Sequence, residues 1–489
     1  MDLLSPLSSF SEGPWGFYHG VLYNIAFYLI CTFLLLVAAL AVMFISWRRS
    51  TFIEDVERSI VQLIADFAFS RIHLCTRFIS WINGYQDFAE DECNKDVVVV
   101  SICTNGLGHV HQAIRVLSVL KARSGFVAPV IAVAKMSKLP PYAKAFLEGY
   151  GAKEIIDLNC ELDYEGGGTG VRINNFTVLL QFLYTFFFHG VSTFNKVGSV
   201  LQQYRPAVLL SFFEPIFANF VNSHDSPIKI ITAASQGSLS AEKDDIQRLL
   251  ILKLLWHANV GKKGRMIPFC QYPLENAIPQ IVSLPCYTTL EERRVCSEAN
   301  SNAASPTSCT LSSFREALYS KNLVHTSPFF VAYSCMPRVL LPGIFRIKKH
   351  RVVLFTKNHT YWAKKCSNYK HVVVLPRAPD FITALDSSVG LISQPSRGVV
   401  TQAIALGKPV YLFCPKGHVE QELNLKLYLS QYDGIGSSST ISIEEWEKET
   451  YNLASQAQRM RSWLSQTDDK IMMKIGPYLP LVHHKVERV

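Results

Sequence analysis

Two short runs of this chain combine residue types that can do chemistry. In Pro395-Ser396-Arg397-Gly398 a tight turn is followed at once by a helix-compatible run, Val399 to Leu406, closed by Gly407. A turn of that kind leaves backbone N–H groups unpaired at the positive end of a helix, and Arg397 adds a fixed cation, so the turn reads as an anion site. Glu420, Gln421 and Asn424 follow a second glycine turn at Lys416 to His418. The other run is Thr104-Asn105-Gly106-Leu107-Gly108-His109, where an imidazole stands directly after two glycines. His109 is either a proton acceptor or a plain helix N-terminal residue; His111 stands two positions on.

The elements around these runs have one pattern. Val97 to Ile102 is a buried-strand run before TNGLGH, and Val110 to Lys121 is helix-compatible. Val389 to Ser393 and Val410 to Cys414 are strand runs flanking the Arg397 turn. Strand, glycine turn, helix and strand make one unit of a parallel α/β sheet. A Rossmann dinucleotide fingerprint would need a third glycine where His111 stands, which disfavours NAD. Further strand runs at 130–134, 154–158, 208–213 and 228–232 belong to the first half, and those at 329–333, 352–355 and 372–375 to the second. Glu214-Pro215 ends the 208–213 run, and Glu214 reads equally as a site carboxylate or as a helix cap.

The order of glycine turn, helix ending in ALGKP, short strand, acid–Gln pair and Asn resembles the donor half of GT-B glycosyltransferases. It is most similar to the family 1-type enzymes related to the bacterial lipid-linked peptidoglycan N-acetylglucosaminyltransferase and to UDP-glycosyltransferases. TNGLGH resembles the first loop of their N-terminal domain, and SFFEP their DFEP loop. Gln402 stands where such enzymes usually place a ribose-binding Glu. The resemblance implies two Rossmann-like doubly wound domains facing a cleft and an inverting transfer from a nucleotide-diphosphate sugar, most often UDP-linked. It implies His109 as base, with Glu214 assisting or orienting the acceptor. Donor binding falls to Gly106, Gly108, Ser396, Arg397, Gly398, Val399, Gln402, Glu420, Gln421 and Asn424. No metal or other cofactor is expected.

Composition sets the outer limits. At 489 residues with 49% apolar content, the chain is two or three domains' worth, with ample sequence for large cores. A net charge of +9 suits an anionic ligand or surface and is too diffuse to argue for nucleic acid. Twelve cysteines without a CxxC pair suggest neither a zinc site nor a disulfide framework, and such usage is commonest in a reducing compartment.

Ile25 to Trp47 is apolar and uncharged, long enough to cross a bilayer of roughly 30 Å hydrocarbon thickness. It reads as a retained anchor in preference to a cleaved signal peptide, because no basic start precedes it. Arg48 and Arg49 follow it directly, so the N-terminus is expected outside or in a lumen and the body in the cytosol, on the endoplasmic reticulum or another endomembrane. The glycan acceptors Asn175 and Asn358 would then stay bare.

The expected organisation is a lead to residue 24, the anchor at 25–47 and an amphipathic juxtamembrane helix at 48–95. A first Rossmann-like domain (96–290), a Ser-rich linker (291–325), a second domain (326–475) and a tail to 489 follow. The 48–95 helix either packs on the body or lies against anionic lipid, and the apolar run Phe176 to Val191 is either a core helix or one that meets the membrane. The expected partners are a nucleotide sugar, a lipid or membrane-bound acceptor and the membrane itself. Two rivals stand beside a transferase: a nucleotide-sugar epimerase of the same fold, which needs no anchor, and a membrane-recruiting subunit without catalysis.

Overall fold

A computed structural model of the chain describes residues 72–74, 76–104, 107–160, 190–234, 260–261, 264–270, 284–285, 328–334, 337–356, 358–376, 381–415 and 418–480. The expected anchor, Gly106, the Phe176 to Val191 run apart from its last two residues, and the 291–325 linker lie outside these residues. Among the described residues no helix is long and apolar enough to cross a membrane.

The first half alternates β1 (Asn94–Ile102), α1 (Leu107–Ser124), β2 (Val130–Val133), α2 (Pro141–Tyr150), β3 (Glu154–Asp157), α3 (Gly190–Tyr204), β4 (Pro206–Phe212), α4 (Pro215–Ser223), β5 (Lys229–Ala234), β6 (Gly264–Cys270) and β7 (Leu284–Pro285). The strands pair in parallel in the order β3-β2-β1-β4-β5-β6-β7. The second half repeats the plan with β8 (Phe329–Tyr333), α5 (Pro337–Ile344), β9 (Arg351–Thr356), α6 (His359–Lys365), β10 (Val372–Pro376), α7 (Phe381–Ser387), β11 (Gly390–Ser393), α8 (Arg397–Ala405), β12 (Val410–Leu412), α9 (Val419–Gln431) and β13 (Ile435–Ser437). Its parallel order is β10-β9-β8-β11-β12-β13. Each sheet reverses its strand order once, between β1 and β4 and between β8 and β11. Crevices at such switch points, at the carboxyl ends of the strands, are where open α/β sheets bind ligands.

Both sheets are covered on both faces, as parallel sheets must be. In β1, Val98, Val100 and Ile102 join one core layer, with α1 and α2, while Val99 joins the other, with α3 and α4. In the second sheet Val331, Tyr333, Val353 and Phe355 face one layer, and Phe330, Ala332, Val352 and Leu354 the other. This two-residue alternation fixes strand register, since a slip of one residue would exchange the two faces.

Three local features depart from the sequence reading. The juxtamembrane helix does not run through Phe88: residues 72–74 and 76–82 are helical, and a turn at Asn83-Gly84, with Gly84 at φ +77°, ends it. Tyr85 and Phe88 then pack as an extended lead into the first core. The run Glu444 to Ser465, whose sequence reads as one helix, is interrupted as well. A four-residue turn, Ile443–Trp446, is capped by Ser442 and Glu445, and α10 (Ala454–Ser465) begins separately. Glu447 is the C-cap of that turn, and its carboxylate accepts from the backbone N–H groups of Lys349 and His350 and from the His350 ring. Third, the chain recrosses to the first domain after Ser465. Ile471, Ile475 and Leu479, from α11 (Thr467–Lys474) and the turn after it, lie in the core layer of β1 and α1. Asp468 pairs there with Arg115 and Arg123.

Candidate functional site

On the first sheet, β1 delivers the chain to the start of α1, whose third residue is His109. Val110, Ala113, Ile114, Leu117 and Leu120 set the helix against the sheet by their spacing of three and four. His109 is 7% exposed and its ring stacks on Phe213, with centroids 5.1 Å apart and planes at 17°. Phe213 is a non-glycine residue in the left-handed region, at φ +56°, directly after β4. That conformation costs roughly 1–2 kcal/mol for an L-residue and persists only where its surroundings impose it. Here Phe213 also packs with Cys103, Val260 and Met266, and the next residue opens α4.

That next residue, Glu214, is the N-cap of α4, with Pro215 at the first helical position. Its two carboxylate oxygens accept from the backbone N–H groups of Ile216 at 3.1 Å and Phe217 at 2.8 Å. Burial pushes its carboxyl up to about 7, against the pull of those two bonds. Both oxygens thus serve the helix, which is the capping role left open by the sequence. His111 is turned elsewhere: its Nε2 is hydrogen-bonded to the Tyr142 hydroxyl of α2.

On the second sheet the anion turn takes the expected form. Ser396 is the N-cap of α8 but its side chain accepts no capping bond, so the N–H groups of Arg397, Gly398 and Val399 open the helix uncapped by it. Gly398 is exposed, and a Cβ added there would meet nothing within 4 Å. Arg397 is 6% exposed, and its Nε donates to Asn424 Oδ1 at 3.1 Å. Asn424 in turn donates from Nδ2 to the Pro395 carbonyl at 3.0 Å. Asn424 therefore ties α9 to the turn and fixes the Arg397 stem, with its amide used inside the protein. Tyr428, one turn further along α9, donates to the Ser396 carbonyl at 3.2 Å.

Around this turn, buried polar atoms lack partners among the described residues. They are Gln394 Nε2, Ser396 Oγ, Thr401 Oγ1, Gln402 Oε1 and Gln421 Oε1. A buried polar atom without a partner costs about 1–3 kcal/mol, and these five fall at the end of β11, at the start and middle of α8 and at the start of α9. Gln402 and Gln421 were named from sequence, Gln394 and Thr401 were not. Gln394 had a positional signal, as the residue leaving β11 at the switch point; its Oε1 accepts from Ser334 Oγ, which leaves β8 beside it, at 3.0 Å. Thr401 had none, since a threonine within an apolar helix looks like core.

The two runs meet electrostatically. Burial pushes the His109 imidazole down to about 4, while the Glu420 carboxylate from the start of α9, together with Gln112, acts in the opposite direction. Glu420 belongs to the second domain, so the opening turns of α1 and α9 face each other closely enough to interact. Glu420 and Gln421 are half-buried there. Gly108 lies exposed beside His109 in the first turn of α1. Among the described residues no three His, Cys, Asp or Glu side chains gather as a metal site would require.

No family model and no curated protein matches the chain. Solved structures do. The chain is similar to CalG4, the calicheamicin glycosyltransferase, at 12% identity and a TM-score of 0.49, over 80% of this chain and 100% of that one. It is similar to a UDP-glucosyltransferase from Polygonum tinctorium at 13% identity and a TM-score of 0.49, over 79% and 99%. With Phytolacca americana UGT2, solved with UDP-2fluoro-glucose and pterostilbene, the identity is 12%, the TM-score 0.48 and the shares 78% and 99%. At such distances the functional reading rests on the chain's own residues.

Proposed function

We propose that the chain is a membrane-anchored, inverting GT-B glycosyltransferase that moves a sugar from a nucleotide-diphosphate donor, UDP-linked by preference, to a lipid or membrane-associated acceptor. The observation that carries this reading is the cradle at the start of α8: uncapped helix amides, the Arg397 guanidinium and a ring of unpartnered polar atoms at the switch point of the second sheet. Such a cradle suits a diphosphate, which gains negative charge as it leaves the anomeric carbon.

In this reading the amides of Arg397, Gly398 and Val399 and the Arg397 side chain hold the diphosphate, and Gln402 takes the ribose diol. Glu420 and Gln421 hold the sugar hydroxyls. His109, across the cleft, accepts the proton of the acceptor hydroxyl as that oxygen attacks the anomeric carbon from the face opposite the departing diphosphate. An imidazole held down to about 4 is neutral at pH 7 and so has its lone pair free, but it is a weak base there and accepts the proton only as the charge that forms is stabilised. Glu420, close by, would stabilise the imidazolium that forms. The epimerase alternative needs no acceptor, and so would leave both the apolar N-terminal run and the placement of His109 opposite the cradle without a use.

A screen of purified protein with a panel of nucleotide sugars, with and without lipid extract, tests the reading. Lipid-dependent release of nucleoside diphosphate, with label appearing in the lipid phase, is the expected result. Donor turnover to an isomeric nucleotide sugar without an acceptor would point to the epimerase. The cytosolic placement of the body is checked separately: Asn175, outside the described residues, and Asn358, the N-cap of α6, should show no mass shift on endoglycosidase treatment.

A further inference from the structure

The segment just before the first sheet carries apolar side chains that the fold does not use. Leu74 is 58% exposed, Phe78 38% and Trp81 72%, so three of the six large exposed hydrophobics among the described residues fall on 72–82. Their spacing of four and three places them on one helical face, and the Phe78 and Trp81 rings stack with centroids 6.3 Å apart. The opposite face is firmly seated. Ile72, Thr76 and Ser80 are buried, Asn219 of α4 donates to Thr76 Oγ1 at 3.5 Å, and Arg77 pairs with Asp225 at 2.8 Å and also donates to the Ser223 carbonyl. The apolar face is therefore presented rigidly by the catalytic body.

We infer that this Leu74-Phe78-Trp81 face docks the body flat onto a bilayer surface. The choice of a bilayer as occupant rests on the membrane reading above and on where the face lies in the chain. The uncharged run ending at Trp47 is separated from Leu74 by residues 48–73, which span about 40 Å if helical. That stretch holds Arg48, Arg49, Arg58 and Arg71 balanced by Glu54, Asp55, Glu57 and Asp66, so it carries no net charge and the apolar face itself is the contact. Trp and Phe side chains on one presented face suit the boundary where aromatic rings sit among headgroups. Docking there would hold the first domain, which carries His109, against the surface that presents a lipid acceptor.

The test uses the full chain in nanodiscs of phosphatidylcholine and phosphatidylserine, with a photoreactive phenylalanine analogue at position 78, 81 or, for comparison, 361. Lipid adducts at 78 and 81, and few at 361, at every phosphatidylserine content are the expected result. Adducts at 78 and 81 to peptide, whether from residues 25–47, from 176–191 or from a second copy, would overturn it. Vesicle sedimentation reads the anchor independently: protein that sediments yet forms no lipid adduct at 78 or 81 overturns the docking alone. Protein that forms the adducts and transfers no sugar upholds the docking and counts against the transferase reading.

Discussion

The residue scale decides between a base and a buried histidine. If His109 takes the acceptor proton, His109→Ala should lower turnover by about 10²–10⁴-fold with nucleotide affinity nearly unchanged. His111→Ala should do much less, because His111 is engaged with Tyr142. The pH profile gives a sharper reading. An unperturbed imidazole loses its accepting form below about 6.5, whereas burial places the acid limb of His109 near 4. Activity should therefore persist well below pH 6 and fall as pH approaches 4; a limb near 6.5 would contradict the buried, neutral imidazole. The linked stability effect has a definite sign. Between about 6.5 and 4 the unfolded chain binds a proton at His109 that the folded chain does not, so this group's contribution to stability is lost as pH falls through that window. Glu214 is separated from catalysis by a shorter cap. Glu214→Asp can still receive the Ile216 and Phe217 amides, so stability and activity should both hold. Wild-type stability with lost activity would instead give this carboxylate a catalytic role.

At the scale of elements, the two glycine-turn units were legible because each combines a run of strand residues, a turn and a helix stop within some twenty positions. The roles inside them were less so. Asn424 reads in sequence as a ligand contact, but its amide is spent on Arg397 and Pro395, a pairing across 27 positions that no local pattern announces. Thr401 was invisible for the reason that it sits where an apolar helix residue would. The interruption at 447–453 has no local sequence signal, and the contact made there, Glu447 to the Lys349 and His350 amides, is non-local. These points set two tests. Asn424→Ala should weaken nucleotide binding through Arg397, and combined with Arg397→Ala should cost less than the sum, as expected for groups acting as a unit. Gly398→Ala has open space for its methyl and an ordinary helical backbone, so melting should be unchanged or slightly raised. A fall in nucleotide affinity at unchanged stability would show the ligand lying against the helix backbone; full affinity would place it elsewhere.

For the whole molecule, fold class followed from alternation of strand and helix runs, whereas the strand order, with its one reversal in each sheet, is seen only in the pairing. What composition and periodicity could not show is the return of the chain after Ser465. The α11 segment is short and polar on most faces, and only its docked position reveals Ile471 as core. Ile471 is fully buried, so Ile471→Ala should cost about 2–5 kcal/mol by urea unfolding, with the loss felt in the first domain although the residue follows the second. The Arg115–Asp468 and Arg123–Asp468 pairs join the same two parts, and Asp468→Ala should loosen that return more than a surface ion pair would, because Arg115 is buried.

The central claim is that the start of α8 is a nucleotide-diphosphate site, and calorimetric titration of UDP into wild type and Arg397→Ala reads it directly. A charge-assisted contact to phosphate is worth about 1.5–3 kcal/mol, so affinity should fall by roughly 10- to 100-fold in the variant; because Asn424 loses its buried donor, melting should fall as well, and the titration is run well below the variant's midpoint. UDP binding to both proteins with the same affinity, or to neither, would contradict the assignment of the cradle.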